Sequence, residues 1–204
     1  MRPLNRVLTM VAVILAAAAL AAFLRARGDS HRLGGATDLG GSLEPLITAF
    51  NDFSDRPRLL LILAPACPVC LQGAESVARE VLPERGELEV LVVWMEALPF
   101  DITRNPARRV ETFAGEARMR QFYDMQQTSG RALREVLAWP PDSLPWSVYL
   151  YFPAGVRWQA SPPQPAAWFH QREVADPDLF RLGPDLTRAL LDSVPATPPG
   201  GSVG

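Results

Sequence analysis

The chain has 204 residues, 20 basic against 22 acidic, for a net charge of −2, and 48% of its residues are hydrophobic. Less its two ends, a chain of this size holds one domain of about 150 residues, and the charge balance, with no clustered basic stripe, argues against nucleic acid as a partner. Every basic residue is arginine, which excludes lysine nucleophiles and Schiff-base chemistry.

Residues 7–24 form an apolar run interrupted only by Thr9 and preceded by Arg2 and Arg6. At 1.5 Å per residue such a run reaches roughly 27 Å, near the lower limit for a membrane span. Ala19-Leu20-Ala21 also satisfies a signal-peptidase site. Residues 1–27 therefore read as either an N-terminal membrane anchor or a cleaved signal peptide. Arg25, Arg27 and Arg32 balance the basic start, so charge does not set an orientation. Residues 28–42, rich in Gly, Asp and Ser, read as a flexible linker, and the folded domain is expected over 43–194.

Leu43, Leu46, Ile47 and Phe50 share one face of a helix predicted over 43–53. Arg56-Pro57-Arg58 then leads into the short apolar run Leu59–Ala64, which ends in Pro65-Ala66-Cys67-Pro68-Val69-Cys70. Ala74, Val77, Ala78, Val81 and Leu82 recur at helical spacing and predict a helix over 72–82. Residues 87–94 form a near-continuous apolar run suited to a strand covered on both faces. Asn105-Pro106 reads as the cap and first position of a helix to Phe113. A short strand is predicted over 119–124 and a helix over 130–137. Strands alternating with helices argue for an α/β sheet. Residues 195–204 are a Pro/Gly/Ser tail predicted to be disordered.

Cys67 and Cys70 are the only cysteines. A buried strand that delivers two thiols, three positions apart, to the start of a helix is a redox device. Cys67 falls at the N-cap and Pro68 at the first helical position, where a missing N–H removes no helical bond. A thiolate at Cys67 faces free backbone N–H groups and the positive end of the helix dipole. Cys70 lies one turn later on the same face, within disulfide reach. A purely structural bridge over so few residues constrains the unfolded chain little. Zinc needs about four ligands, and the only histidines are His31, in the linker, and His170. A c-type haem site needs His after Cys70, where Leu71 stands. Copper binding remains as an alternative if Cys67, Cys70 and His170 converge.

Ala64-Pro65-Ala66-Cys67-Pro68-Val69-Cys70 resembles the A-P-x-C-x-x-C signature of the thioredoxin-like superfamily. Leu144-Pro145-Trp146-Ser147, followed by the apolar run 148–152, resembles its loop with a cis-proline leading into a strand. Pro153 to Arg157 looks like the hairpin turn that follows, and 184–194 like the closing helix. An added strand and helix before the cis-Pro loop resemble the membrane-tethered bacterial thiol-disulfide oxidoreductases of the resA/tlpA-type or peroxiredoxin-like branch. The resemblance implies a thioredoxin-like α/β fold, a central mixed sheet flanked by helices. It implies Cys67 and Cys70 as catalytic residues and Leu144, Pro145 and Trp146 as substrate-binding residues. Pro65, Pro68 and Val69 would support the motif. No metal or other cofactor is expected.

The implied function is exchange with protein disulfides in the bacterial envelope, at the inner membrane through residues 7–24 or in the periplasm, with an unidentified electron donor. Cys67 would attack a substrate disulfide and Cys70 would resolve the mixed disulfide. The uncharged surroundings, Ala66, Pro68, Val69 and Leu71, favour a reductant over a strong oxidant. Other readings are a disulfide-forming oxidase, a copper-binding protein or a redox-inert adaptor on the same fold. Two residues depart from the family pattern. Leu61 stands where many members carry a buried acid, with Glu96 or a water as substitute, and Ala66 stands where thioredoxins usually carry Trp. Asp101, Arg118 and Asp124 are expected to form salt bridges or caps.

Overall fold

The computed structural model describes residues 35–98, 113 and 115–196. The first central strand, β2 (Arg58–Leu63), and β3 (Glu89–Met95) are buried along their whole length. Such runs of Leu, Ile and Val have no polar face to offer water, so helices must cover both sides. Alternation then divides the core. Leu59, Leu61, Leu63, Val90, Val92 and Trp94 face one layer. Leu60, Ile62, Leu91, Val93 and Met95 face the other. Each fully buried Leu or Ile contributes about 1.5–3 kcal/mol.

Among the described residues the sheet has six strands, in the order β1-β4-β3-β2-β5-β6. β1 (Thr37–Asp38), β4 (Met119–Asp124), β3 and β2 run parallel to their neighbours. β5 (Val148–Phe152) and β6 (Ala167–His170) are added antiparallel beyond β2. The first layer holds α2 (Pro68–Ser76), continued by a π-helical stretch, Val77–Val81, and a last α turn, Leu82–Glu84. Pro83 accounts for that widening, because a regular turn would drive its ring into the carbonyl four residues back. The closing helix α4 (Gly183–Ser193) packs against α2. The opposite layer holds α1 (Glu44–Asp52) and α3 (Thr128–Val136). This is the expected α/β architecture, a central mixed sheet flanked by helices. The insertion is β4, lodged between β1 and β3, followed by α3.

Three expectations are corrected. The expected linker extends too far: Ala36 and Leu39 are buried, and Thr37–Asp38 pairs with Phe122 and Tyr123. Gly40 and Gly41, at φ 56° and 83°, turn the chain from this strand into α1 in a conformation other residues rarely adopt. Second, every peptide bond among the described residues is trans, including the one before Pro145. The chain enters β5 through Ser147, whose left-handed backbone (φ 57°) makes the turn that a cis bond was expected to make. Third, no tight hairpin follows β5, since residues 153–166 intervene before β6, a strand the sequence reading left unrecognised.

Buried Arg58 ties the layers together at the start of β2. Its guanidinium donates to the carbonyls of Phe50 (3.2 Å), Val156 (2.9 Å) and Pro153 (2.7 Å), and sits 4.5 Å from the Phe50 ring centre. Burial lowers its pKa. Among the described residues no helix is long and apolar enough to cross a membrane. The apolar run 7–24, His31, Asp101, the predicted helix from Asn105 and residues 197–204 lie outside the described residues.

Candidate active site

The loop Ala64-Pro65-Ala66 leaves the end of β2 and is buried, which places Cys67 at the rim of the sheet. Cys67 is the N-cap of α2 and Pro68 its first residue. The Cys67 sulfur accepts the Cys70 N–H at 3.2 Å, and the Cys67 carbonyl accepts the Leu71 N–H at 3.1 Å. No disulfide joins the two in this structure. Cys67 is 8% exposed and Cys70 0%, while Pro68 and Val69 between them are exposed. Contact from outside therefore reaches the Cys67 end of the pair.

Burial holds the Cys70 thiol well above its ordinary pKa, and the Cys67 sulfur beside it pushes the same way. Hydrogen bonds from Ser147 and from the Ala64 backbone act in opposition. Ser147 is 1% exposed, and its hydroxyl donates to Gln171 Oε1 at 3.0 Å. Tyr149 donates to the same oxygen at 2.8 Å. Burial, and then the two thiols, raise the Tyr149 pKa. A Cβ on Gly73, one turn beyond Cys70, would overlap the Tyr149 hydroxyl, so the tyrosine occupies space that only a glycine in α2 leaves open.

Arg172 feels both thiols: they raise its pKa against a larger lowering by burial. Its guanidinium donates to the Leu144 carbonyl at 3.1 Å and lies 4.4 Å from the Trp146 ring centre. Leu144, Trp146 and Arg172, with Met95, Ala97 and Gln127, line a cavity of about 300 Å³. Pro145 between them is buried. A larger cavity, about 440 Å³, lies at the β1–β4 edge, and neither cysteine lines either of the two cavities.

His170 is fully buried. Its Nε2 contacts the Asp176 carbonyl at 2.7 Å, and its Nδ1 accepts the Arg172 N–H at 3.3 Å. On β6, Ala167 and Phe169 pack in the layer of the thiols, whereas Trp168 packs in the other. His170 shares the side of Trp168 by alternation. It therefore does not converge with Cys67 and Cys70, and copper binding by those three residues is not supported. No group of three or more His, Cys, Asp or Glu side chains suited to a metal occurs among the described residues.

Asp124 caps α3, accepting from the Thr128 N–H (3.0 Å), the Ser129 N–H (2.7 Å) and the Ser129 hydroxyl (2.6 Å). Arg118 closes the end of the α2 segment through the carbonyls of Leu82, Arg85 and Gly86. Glu96 is half-buried after β3, with its backbone bonded to Asp124 and Gln127. Tyr149, Gln171 and Arg172 are not legible as site residues in the sequence, and Ser147 is legible only as part of a loop. A tyrosine in an apolar strand carries no signal, and Gln171 and Arg172 follow a strand that was not recognised.

No family model and no curated protein matches the chain. A secreted Mycobacterium tuberculosis disulfide oxidoreductase homologous to E. coli DsbE is similar in structure. The identity is 12% and the TM-score 0.40, over 72% of this chain and 84% of that one.

Proposed function

We propose that the chain is a thiol-disulfide oxidoreductase that acts on protein disulfides through Cys67 and Cys70, as a reductant. The observation that carries this reading is the asymmetry of the pair: a helix-capping sulfur at the rim that accepts the Cys70 backbone N–H, and a fully buried thiol at Cys70. The Cys67 thiolate attacks a substrate disulfide, forming a mixed disulfide and releasing one substrate thiolate. Cys70 then displaces the second substrate sulfur, leaving a Cys67–Cys70 disulfide and a substrate reduced by two electrons. Pro68 and Val69 offer an exposed apolar lip beside the thiols, and Leu144 and Trp146, which line a separate cavity, are assigned to the client on the family resemblance. Pro145, buried and trans, serves as a wall of that loop.

Reductant chemistry follows from the surroundings. The residues around Cys67 in sequence carry no charge, so a thiolate draws its support from the helix terminus and from Arg172, which interacts with both thiols. The reading extends to an envelope location, with residues 7–24 as anchor or signal. Equilibrium titration of the full-length protein against glutathione, with Cys67→Ser and Cys70→Ser as controls, tests it. A two-electron transition near −270 mV, roughly the value for thioredoxin, supports the reductant, and one near −120 mV marks a disulfide-forming oxidase. Thiols that fail to exchange with glutathione disulfide would refute the reading.

A further inference from the structure

Taking a guanidinium out of water without matching acceptors is costly. Arg58, Arg85 and Arg118 meet that cost by donating to three backbone carbonyls each. Half-buried Arg172 does not. Among the described residues its side chain donates one hydrogen bond, from Nη1 to the Leu144 carbonyl at 3.1 Å. No Asp or Glu among the described residues forms an ion pair with it. Burial works against its charge. The residue is nevertheless held in place. Its backbone N–H donates to His170 Nδ1 at 3.3 Å, and its guanidinium carbon lies 4.4 and 5.8 Å from the ring centres of Trp146 and Trp139.

Arg172 borders the cavity of about 300 Å³ lined also by Met95, Ala97, Gln127, Leu144 and Trp146. Ligand sites are of this kind, about 300–1,000 Å³ with a few fixed polar groups on an apolar wall. Gln127 is fixed as well, its side-chain amide donating to the Glu96 carbonyl at 2.7 Å. Asp142, the acid on the lining, is exposed and makes no ion pair with Arg172. The place of the cavity follows from the sheet. β2 lies between β3 and β5, with Leu63 opposite Trp94 and Ile62 opposite Val148. Ala97, just after β3, and Trp146, just before β5, therefore stand at the end of the sheet from which the Cys67 loop leaves. The cavity and Cys67 share one rim, although neither cysteine is in the lining.

We propose that this cavity is a carboxylate subsite, in which Arg172 binds an acidic group of the client and so selects disulfides with a negative charge nearby. The Nη1 bond to Leu144 leaves Nε and Nη2 without a protein acceptor among the described residues. Their two N–H groups lie side by side on one edge of the guanidinium, the fork that matches both oxygens of a carboxylate. Stacking on Trp146 and the bond to Leu144 fix the plane of that fork before the client arrives, which limits the ordering cost of binding. This inference rests on the dithiol reading above: Cys67 and Cys70 carry out the exchange, and Arg172 sets which clients are preferred.

The experiment gives the reduced full-length protein a short neutral peptide whose single cysteine is in mixed disulfide with 2-mercaptoethanol, a neutral leaving thiol. One arm places a single glutamate, in place of glutamine, at successive positions on either side of the cysteine. A second arm compares a free C-terminal carboxylate with its amide. Matching peptides with serine in place of cysteine measure binding by calorimetry, without exchange. At one glutamate position, or at the free C-terminus, kcat/KM should exceed that of the neutral peptide about tenfold, chiefly through KM, with a matching gain in affinity. The first result identifies an acidic side chain as the ligand and the second a chain end. In Arg172→Gln the ratio should fall to about one, whatever the variant does to the rate shared by all peptides. Arg172→Lys keeps the charge without the fork and should retain about threefold. If Arg172→Gln does not fold, an undiminished ratio in Arg172→Lys overturns the proposal. A wild-type ratio of one at every position, or a ratio that survives Arg172→Gln, overturns the subsite and leaves the dithiol reading intact. If no peptide disulfide is reduced, the dithiol reading falls, and the affinities of the serine peptides decide the subsite by the same ratios.

Discussion

Replacing Gly73 with alanine ought to stabilise a helix, by about 0.5–1 kcal/mol where nothing else changes. Here the opposite is expected. The new Cβ would overlap the Tyr149 hydroxyl and lie 2.8 Å from Tyr149 Cζ, closer than real Cβ contacts come. The tyrosine is fully buried on β5 and cannot swing into solvent, so α2 and the sheet must part or the ring must move. Overpacking of this kind costs about 1–3 kcal/mol. Displacing the hydroxyl from Gln171 adds about 1 kcal/mol. Less the propensity gain, Gly73→Ala should destabilise by about 2 kcal/mol, which lowers a urea midpoint by about 1 M for a domain of this size. Tyr149→Phe in the same background removes the worst overlap, and the two changes should cost less together than their sum. A Gly73→Ala protein as stable as wild type, or more so, would refute the packing argument and with it the placement of Tyr149 against α2.

Arg58→Met removes three hydrogen bonds, one to a buried and two to part-buried carbonyls, and should cost about 3 kcal/mol, read as a lowered unfolding midpoint. Asp124→Ala should cost about 1–2 kcal/mol and accelerate hydrogen exchange at the Thr128 and Ser129 amides, which lose their cap. Iodoacetamide near neutral pH should label Cys67 ahead of Cys70, and peptide mapping that finds Cys70 first would reverse the assigned roles. The stability of the reduced protein should be insensitive to Cys70 at neutral pH and fall above about pH 8.5, the ordinary thiol pKa. There the unfolded thiol has lost its proton while buried Cys70 keeps its own. The unfolded state then binds fewer protons, and stability declines by up to about 1.4 kcal/mol per pH unit until Cys70 itself ionises. Cys70→Ala should remove that part of the slope in urea titrations.

The site was legible in the sequence where chemistry and local structure coincide. A buried run of Leu and Ile, then Pro, Cys, Pro and Cys, specifies strand, turn and helix start without help from the rest of the chain, and Cys67 caps α2 in the structure. The inserted strand and helix were legible for the same reason, as local patterns at 119–124 and 130–137, against Met119–Asp124 and Thr128–Val136 observed. What failed were features decided by tertiary pairing. Thr37–Asp38 becomes a strand only because β4 offers an open edge, and its Gly and Asp neighbours read as linker. Ala167–His170 is too short for its alternation to show, and its register is set by β5. The turn at Ser147 escaped because a serine at positive φ has no signature, whereas a proline before a strand invites the expectation of a cis bond.

The partners of Cys70 follow from register. β5 and β6 pair with Tyr149 opposite Phe169 and Val148 opposite His170, and the next step outward joins Ser147 to Gln171 through the backbone. Side chains at alternate positions share a face. Ser147, Tyr149, Phe169 and Gln171 therefore all turn towards α2 and the thiols, and Val148, Trp168 and His170 turn away. A slip of one residue in β6 would exchange the two sets, bringing His170 to the thiol side and sending Gln171 to the other. Buried apolar positions oppose that slip: Trp168 and His170 pack against Trp139, with ring centres 6.3 and 5.6 Å from its own. The bonds of His170 to Asp176 and Arg172 hold the end of the strand. The histidine that first suggested a metal ligand thus acts on the thiols only at a distance, by fixing the register that places an uncharged serine, glutamine and tyrosine behind Cys70.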